Sequence, residues 1–311
     1  MKIIIGVLLA FFSILIGSPL IALVMGSLLV LVFKFPSDYI SKSVTTNLLQ
    51  VGIILIGLTI SASSATEIAF KYFPYISAFV IIIFFVGLFL ANLFKVDRSL
   101  GILIASGSAI CGATAMAAIS PLIKAKSKDL FAALTIIFIF NAIAIGIFPL
   151  IGAATGMNFE GFGAWASMAV HDTGSVIGTA IAFGGDAVET ATILKLSRTI
   201  WLIPLIIILG IFYQDRSKPK LPIFILLFII AIALGTILEF NQDTIFFIDS
   251  ISKIFLISAL FCIGTQITFE AIKEINMKNF LFALSLWIIA LVFSYLIINL
   301  FIYLERICLV M

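Results

Sequence analysis

Charge is what this sequence has least of. Only 11% of its 311 residues are Asp, Glu, Lys or Arg, against about a quarter in a soluble domain. It has no long polar stretch, which excludes a soluble domain, a basic nucleic-acid surface and a solvated tail. There is a single His. The three cysteines, Cys111, Cys262 and Cys308, stand apart in apolar surroundings with no CxxC pair. That gives neither a disulfide framework nor a metal site, and nothing points to a cofactor. No glycine-rich phosphate loop is present, which excludes an ATP-driven pump.

What is abundant is apolar sequence. The chain is 63% hydrophobic with 31 Phe and a mean hydropathy of +1.32. It reads as an all-α polytopic membrane protein, with the lipid bilayer as its surroundings. A spanning helix needs about 20 apolar residues. Eleven candidates follow, over 3–17, 19–33, 44–66, 73–94, 100–123, 129–154, 161–184, 187–213, 221–239, 245–269 and 280–303. Only Gly17-Ser18-Pro19 separates the first two, and ten spans result if the first does not cross. The N-terminus has features of a signal peptide, but the apolar run resumes at once, so it is read as membrane helix.

Orientation follows from Lys and Arg in short loops. Eleven crossings place ten of them on the N-terminal side and six on the other, with Lys195 and Arg198 inside a helix. The bias favours a cytoplasmic N-terminus. The cluster Lys124, Lys126 and Lys128 falls on the wrong side and opposes it.

Two stretches differ in texture from the rest. ASGSAICGATAMAAISPLIK (105–124) and ASMAVHDTGSVIGTAIAFGG (166–185) are rich in Gly, Ala, Ser and Thr. Small residues let backbones approach, and irregular backbone is tolerated in a membrane where it lines a cavity. A helix broken at Gly107 or Gly112 would aim a half-helix N-terminus at an anion, assisted by the Ser108 and Thr114 hydroxyls. Thr265 and Gln266 have a similar, weaker case, as do Asn47, Gln50 and Asn141.

Intramembrane ionisable groups are costly, and each marks a functional candidate. His171 and Asp172 fall near half depth of their helix, where adjacent side chains point about 100° apart. His titrates near neutral pH, which suits proton coupling. Asp172 suits a proton, a sodium ion or a cationic partner. Lys195 and Arg198, three apart, share a helix face, and Arg can offer a bidentate fork to an oxyanion. Snorkelling to the interface is the alternative for both. Cys111 with His171 would be the nucleophile–base pair of an intramembrane enzyme, but no third group completes it. The residues point to a non-enzymatic secondary transporter of a small anion, with a passive anion channel as the alternative.

The runs ASGSAICGATAMAAISPLIKAK, MAVHDTGS and KLSRTIWLIPLII, in this order and spacing, resemble the YeiH-like sulfate exporter family. The resemblance covers nearly the whole chain. It departs where Asp172 stands in place of a Glu, and in the short link between the first two helices. That family is similar to the bile-acid:sodium symporters and sodium–proton antiporters. The resemblance implies two inverted five-helix repeats, here 19–154 and 158–303 after an extra helix 3–17, with the fifth and tenth segments as crossing broken helices. It implies a sulfur oxyanion as the substrate class, in a protein of the bacterial cytoplasmic (inner) membrane. The residues read as holding that anion are Gly107, Ser108, Cys111, Gly112, Thr114, Ser175, Lys195, Arg198, Thr265 and Gln266. His171 and Asp172 would couple transport to protons or sodium. A homodimer is compatible with it.

Overall fold

In lipid a backbone must satisfy its own hydrogen bonds, so apolar sequence of this length becomes helix. The computed structural model describes residues 2–35, 40, 42–213, 223–273 and 275–310. These residues form helices α1 (Lys2–Ile16), α2 (Pro19–Phe33), α3 (Lys42–Thr59), α4 (Ala62–Leu93), α5 (Arg98–Ala109), α6 (Ala113–Leu122), α7 (Ser127–Ala154) and α8 (Phe159–Ala169). There follow α9 (Thr173–Phe183), α10 (Ala187–Thr199), α11 (Leu202–Tyr213), α12 (Ile223–Leu238), α13 (Gln242–Gly264), α14 (Phe269–Lys273) and α15 (Met277–Val310). Five runs are long and apolar enough to cross a membrane: α4, α7, α10–α11, α13 and Met277–Phe301 of α15. The polytopic helical reading stands and the eleven segments are present with shifted bounds: the third ends at Thr59, so that 62–66 begin the fourth instead, and the tenth ends at Gly264 rather than 269.

The path of two segments differs from expectation. The fifth, α5–α6, breaks at Ile110–Gly112 and folds back. Its arms touch where Gly107 leaves room for Met116, whose Cε is 2.4 Å from where a Gly107 Cβ would stand. Ser99, at the start of α5, donates to Asp129, at the start of α7, over 2.5 Å. The hairpin therefore leaves the membrane on the side it entered. The seventh segment, α8–α9, breaks at Val170–Asp172 and does the same from the opposite side. Phe162, near the start of α8, stacks on Phe183, at the end of α9, at 3.7 Å. Each arm has 10–12 residues, or about 15–18 Å at 1.5 Å per residue. That is half of a hydrocarbon core of about 30 Å.

This topology removes the charge conflict. The Lys124–Lys128 cluster moves to the N-terminal side, which now holds thirteen Lys and Arg, leaving Lys71, Lys253 and Arg306 on the other. Three of the thirteen, Arg216, Lys218 and Lys220, lie outside the described residues and are counted by their place between α11 and α12. The N-terminal side is cytoplasmic by the positive-inside rule.

The tenth segment is not a crossing partner of the fifth. α13 is unbroken over Gln242–Gly264. It belongs to a row of helices, α2, α13, α3 and α12, that forms a panel beside the hairpins. Glycines make the row tight. A Cβ on Gly26 would lie 2.0 Å from the Phe261 carbonyl oxygen, and one on Gly235 would lie 2.2 Å from that of Leu58. The hairpins pack mainly with α4, α7, α10, α11 and α15, and the second, through α9, also meets α2 and α13 of the panel. Stacked rings of Phe148 with Trp165 (4.6 Å) and Phe140 with Trp287 (4.8 Å) fill that core.

Candidate functional site

The two hairpin tips meet. Gly112 has φ +58° and ψ −121°, and a Cβ there would lie 3.1 Å from both the Cβ and the backbone N of Asp172. Glycine suits this backbone, which side-chain-bearing residues rarely adopt. Four half-helix ends converge at the contact. α5 and α8 arrive with their C-termini, and α6 and α9 leave with their N-termini. Buried half-helix ends carry carbonyls and N–H groups without intrahelical partners, and each needs one.

Arg198 takes the carbonyls. It is fully buried. Its Nε donates to Ala109 at 2.7 Å, its Nη1 to Ser167 and Met168 at 2.8 Å each, and its Nη2 to Ser108. One guanidinium thus ties the last turns of α5 and α8 together and sits at the negative ends of both helix dipoles. Its face lies 4.9 Å from the Phe79 ring centroid. Lys195 is also fully buried and donates to the Val170 carbonyl at 2.9 Å. Trp287 donates to the Ala169 carbonyl at 3.2 Å. The expected shared face of Lys195 and Arg198 is real, and neither snorkels. The Arg198 fork, expected to face an anion, is turned onto main-chain carbonyls instead.

The N-termini are treated unequally. Asp172 is not within a helix, as its spacing suggested, but is the N-cap of α9 with φ −93° and ψ 156°. Its carboxylate accepts from Ser175 N at 3.1 Å, from Ser175 Oγ at 2.5 Å and from Asn141 Nδ2. Asn141 Oδ1 accepts from His171 N at 3.1 Å. α6 starts at Gly112 with no side-chain cap. Cys111 stands beside it in the chain and is buried.

Two buried side-chain atoms have no hydrogen-bond partner among the described residues, His171 Nδ1 and Trp201 Nε1. Both belong to breaks, at the second tip and at the α10–α11 joint. His171 is 1% exposed.

Of the sequence candidates, the structure brings Ser108, Cys111, Gly112, Ser175, Lys195, Arg198, His171 and Asp172 to the tips. Gly107 sits one turn back, between the hairpin arms. Thr114 begins α6 and is exposed. Thr265 and Gln266 are in the panel. Thr265 bonds the Cys262 carbonyl at 2.7 Å, and Gln266 reaches Thr45 at 3.5 Å. Asn141 gains a larger role than expected. Its signal was a lone amide inside an apolar span. Trp201 and Trp287 carried no signal at all.

The architecture defines an integral membrane protein whose polar site is buried at mid-membrane between two re-entrant hairpins. The chain belongs to the family described as conserved hypothetical protein 698, whose profile matches residues 2–283. It is 35% identical over 274 residues to a UPF0324 membrane protein of Vibrio vulnificus, covering 86% of this chain and 88% of that one. A UPF0324 membrane protein of Shewanella oneidensis is 36% identical over 272 residues, covering 87% and 86%. One of Bdellovibrio bacteriovorus is 32% identical over 292 residues, covering 92% and 89%. No solved structure matches the chain.

Proposed function

We propose that this protein is a secondary active transporter of a small anion, bound between the hairpin tips. The observation that carries the reading is the unequal capping of the two tips. At the second tip, α9 is capped by the carboxylate of Asp172. At the first, the start of α6 has no side-chain cap hydrogen bond, although Gly112 lies against Asp172 of the other tip. The buried charges point the same way. Among the described residues the buried charged side chains are Lys195, Arg198 and one acid, Asp172, which leaves one positive charge that an anion would balance. Leaving it unbalanced at mid-membrane costs several kcal/mol.

The resemblance noted above supports a sulfur oxyanion, such as sulfate, sulfite or a sulfonate, as the substrate class. Lys195, with donors beyond its single bond to Val170, is the cation placed for it. Arg198 acts as the fastener of the tips. His171, with an unpartnered Nδ1, is the candidate proton carrier, and Asp172 or a sodium ion near it the alternative coupling group.

The inverted symmetry of such transporters has a candidate here. Cys111 and His171, and Gly112 and Asp172, each differ by 60 in number, and the same offset brings α5–α6–α7 onto α8–α9–α10–α11. The repeating unit would be 98–154 and 158–213, rather than 19–154 and 158–303.

A passive channel is the second reading. It would need an open path, whereas Leu260 and Ile263 close against Gly178 and Gly174 of the second hairpin. Flux of labelled sulfate into proteoliposomes separates the two. Uphill uptake driven by a proton or sodium gradient is expected. Flux that only follows the sulfate gradient and membrane potential supports the channel.

A further inference from the structure

The 60-residue offset gives every position on α6 a counterpart on α9, yet their surroundings differ. Residues 173–180 of α9 are all buried. α2 and α13 cover them, with Leu260 seated over Gly178 and Ile263 over Gly174. On α6, Thr114, Ala117 and Pro121 are exposed. The packing partners of α6 are α5, α7 and α11, none of which belongs to the panel.

Lipid does not account for that open face. Surfaces that meet lipid in this molecule carry large apolar side chains, such as Phe85 and Phe89 on α4 or Ile211 and Phe212 on α11. Threonine, alanine and proline instead make a surface for close helix contact or for water.

The panel supplies a matching seat. Its order, α2, α13, α3, α12, maps onto itself when the ends are exchanged, α2 with α12 and α13 with α3. Glycine contacts close the joints on both sides of the centre, at Gly26 and Gly264 on one and at Gly57 and Gly235 on the other. Exchanging the hairpins along with the panel ends sends α9 on α2 and α13 to α6 on α12 and α3.

We infer that this structure is the cytoplasm-open member of a pair of end states. In the other, α6 seats on α3 and α12, and α9 is released toward the outer face. This rests on the transport reading and adds to it the surface that moves. Gly174 and Gly178 form the contact that parts. A cleft of about 330 Å³ already lies at the outer end, between α3, the start of α10 and α13, where a released α9 would open.

Single cysteines at Ala117→Cys and Ile177→Cys test this with a membrane-impermeant maleimide, in inside-out and right-side-out vesicles. Cys308→Ser protein, whose remaining Cys111 and Cys262 are buried, carries these substitutions and gives the background. Ala117→Cys should be labelled from the cytoplasmic face and lose that labelling from the outer face. Ile177→Cys should be labelled slowly, from the outer face only. Bridging Gly178→Cys to Leu260→Cys should abolish that slow labelling and leave Ala117→Cys reactive. Labelling of Ala117→Cys from the outer face or from neither face overturns the inference, as does outer labelling of Ile177→Cys that survives the bridge. No substrate is added, so this outcome is independent of whether sulfate is the anion.

Discussion

Arg198 shows how a residue read as a ligand-binding group can belong to the scaffold. Its donors go to four carbonyls on two different helices. A buried acceptor left unpaired costs about 1–3 kcal/mol. Arg198→Lys retains a charge but cannot span the four carbonyls. It should lower the melting temperature sharply and reduce the monodisperse fraction on size-exclusion chromatography, before any effect on binding is measured. An unchanged melting curve would show that the carbonyls find other partners. Lys195→Met removes a single hydrogen bond, so it should leave most of the stability and weaken anion binding. His171→Gln tests coupling. Transport should lose its dependence on pH while the protein stays folded, and an unaltered pH profile would remove His171 from the coupling step.

At the scale of the element, glycine decides which helices can meet. Adding a Cβ at Gly235 would drive it to 2.2 Å from the Leu58 carbonyl oxygen, which is backbone and cannot swing away. Gly146 has only the Leu20 side chain at 3.4 Å, an ordinary contact. Gly235→Ala should therefore cost folded yield and thermal stability, and Gly146→Ala should be tolerated or slightly stabilising because it favours the helix. Comparison of the two melting temperatures checks this. The hairpins follow the same logic. Their breaks persist because Arg198, Lys195, Trp287 and the N–H groups of Ile110, Gly112 and Val170 donate to the last-turn carbonyls, and because Asp172, Ser175 and Asn141 close the second tip.

For the whole molecule, the helical segments were legible in the sequence but their paths were not. Hydropathy found the eleven segments because apolar length is a local property. It could not tell a crossing from a hairpin. Residues 98–122 and 159–183 hold 25 residues each between their outer ends, the length of one span. The one clue was electrostatic, the Lys124–Lys128 cluster stranded on the wrong side. The texture of 105–124 and 166–185 located the tips correctly, since small residues are needed wherever backbones touch. The partner of Arg198 was not legible, because main-chain carbonyls leave no trace in composition. The topology itself is testable. Val96→Cys and Lys126→Cys should be labelled by an impermeant reagent from the same, cytoplasmic face. Labelling from opposite faces would restore eleven crossings and remove the hairpins.

The central claim is that a small anion binds where the two tips meet. The most direct measurement is the melting temperature of the detergent-purified protein in sulfate, sulfite, thiosulfate or a sulfonate. Chloride of equal ionic strength is the reference, at pH 5.5 and 7.5, with and without sodium. A ligand that binds the folded state raises its stability as RT ln(1 + [L]/Kd). The account predicts a rise with at least one of these oxyanions, dependent on pH or sodium and reduced in Lys195→Met. No rise with any of them, under any of these conditions, would contradict it.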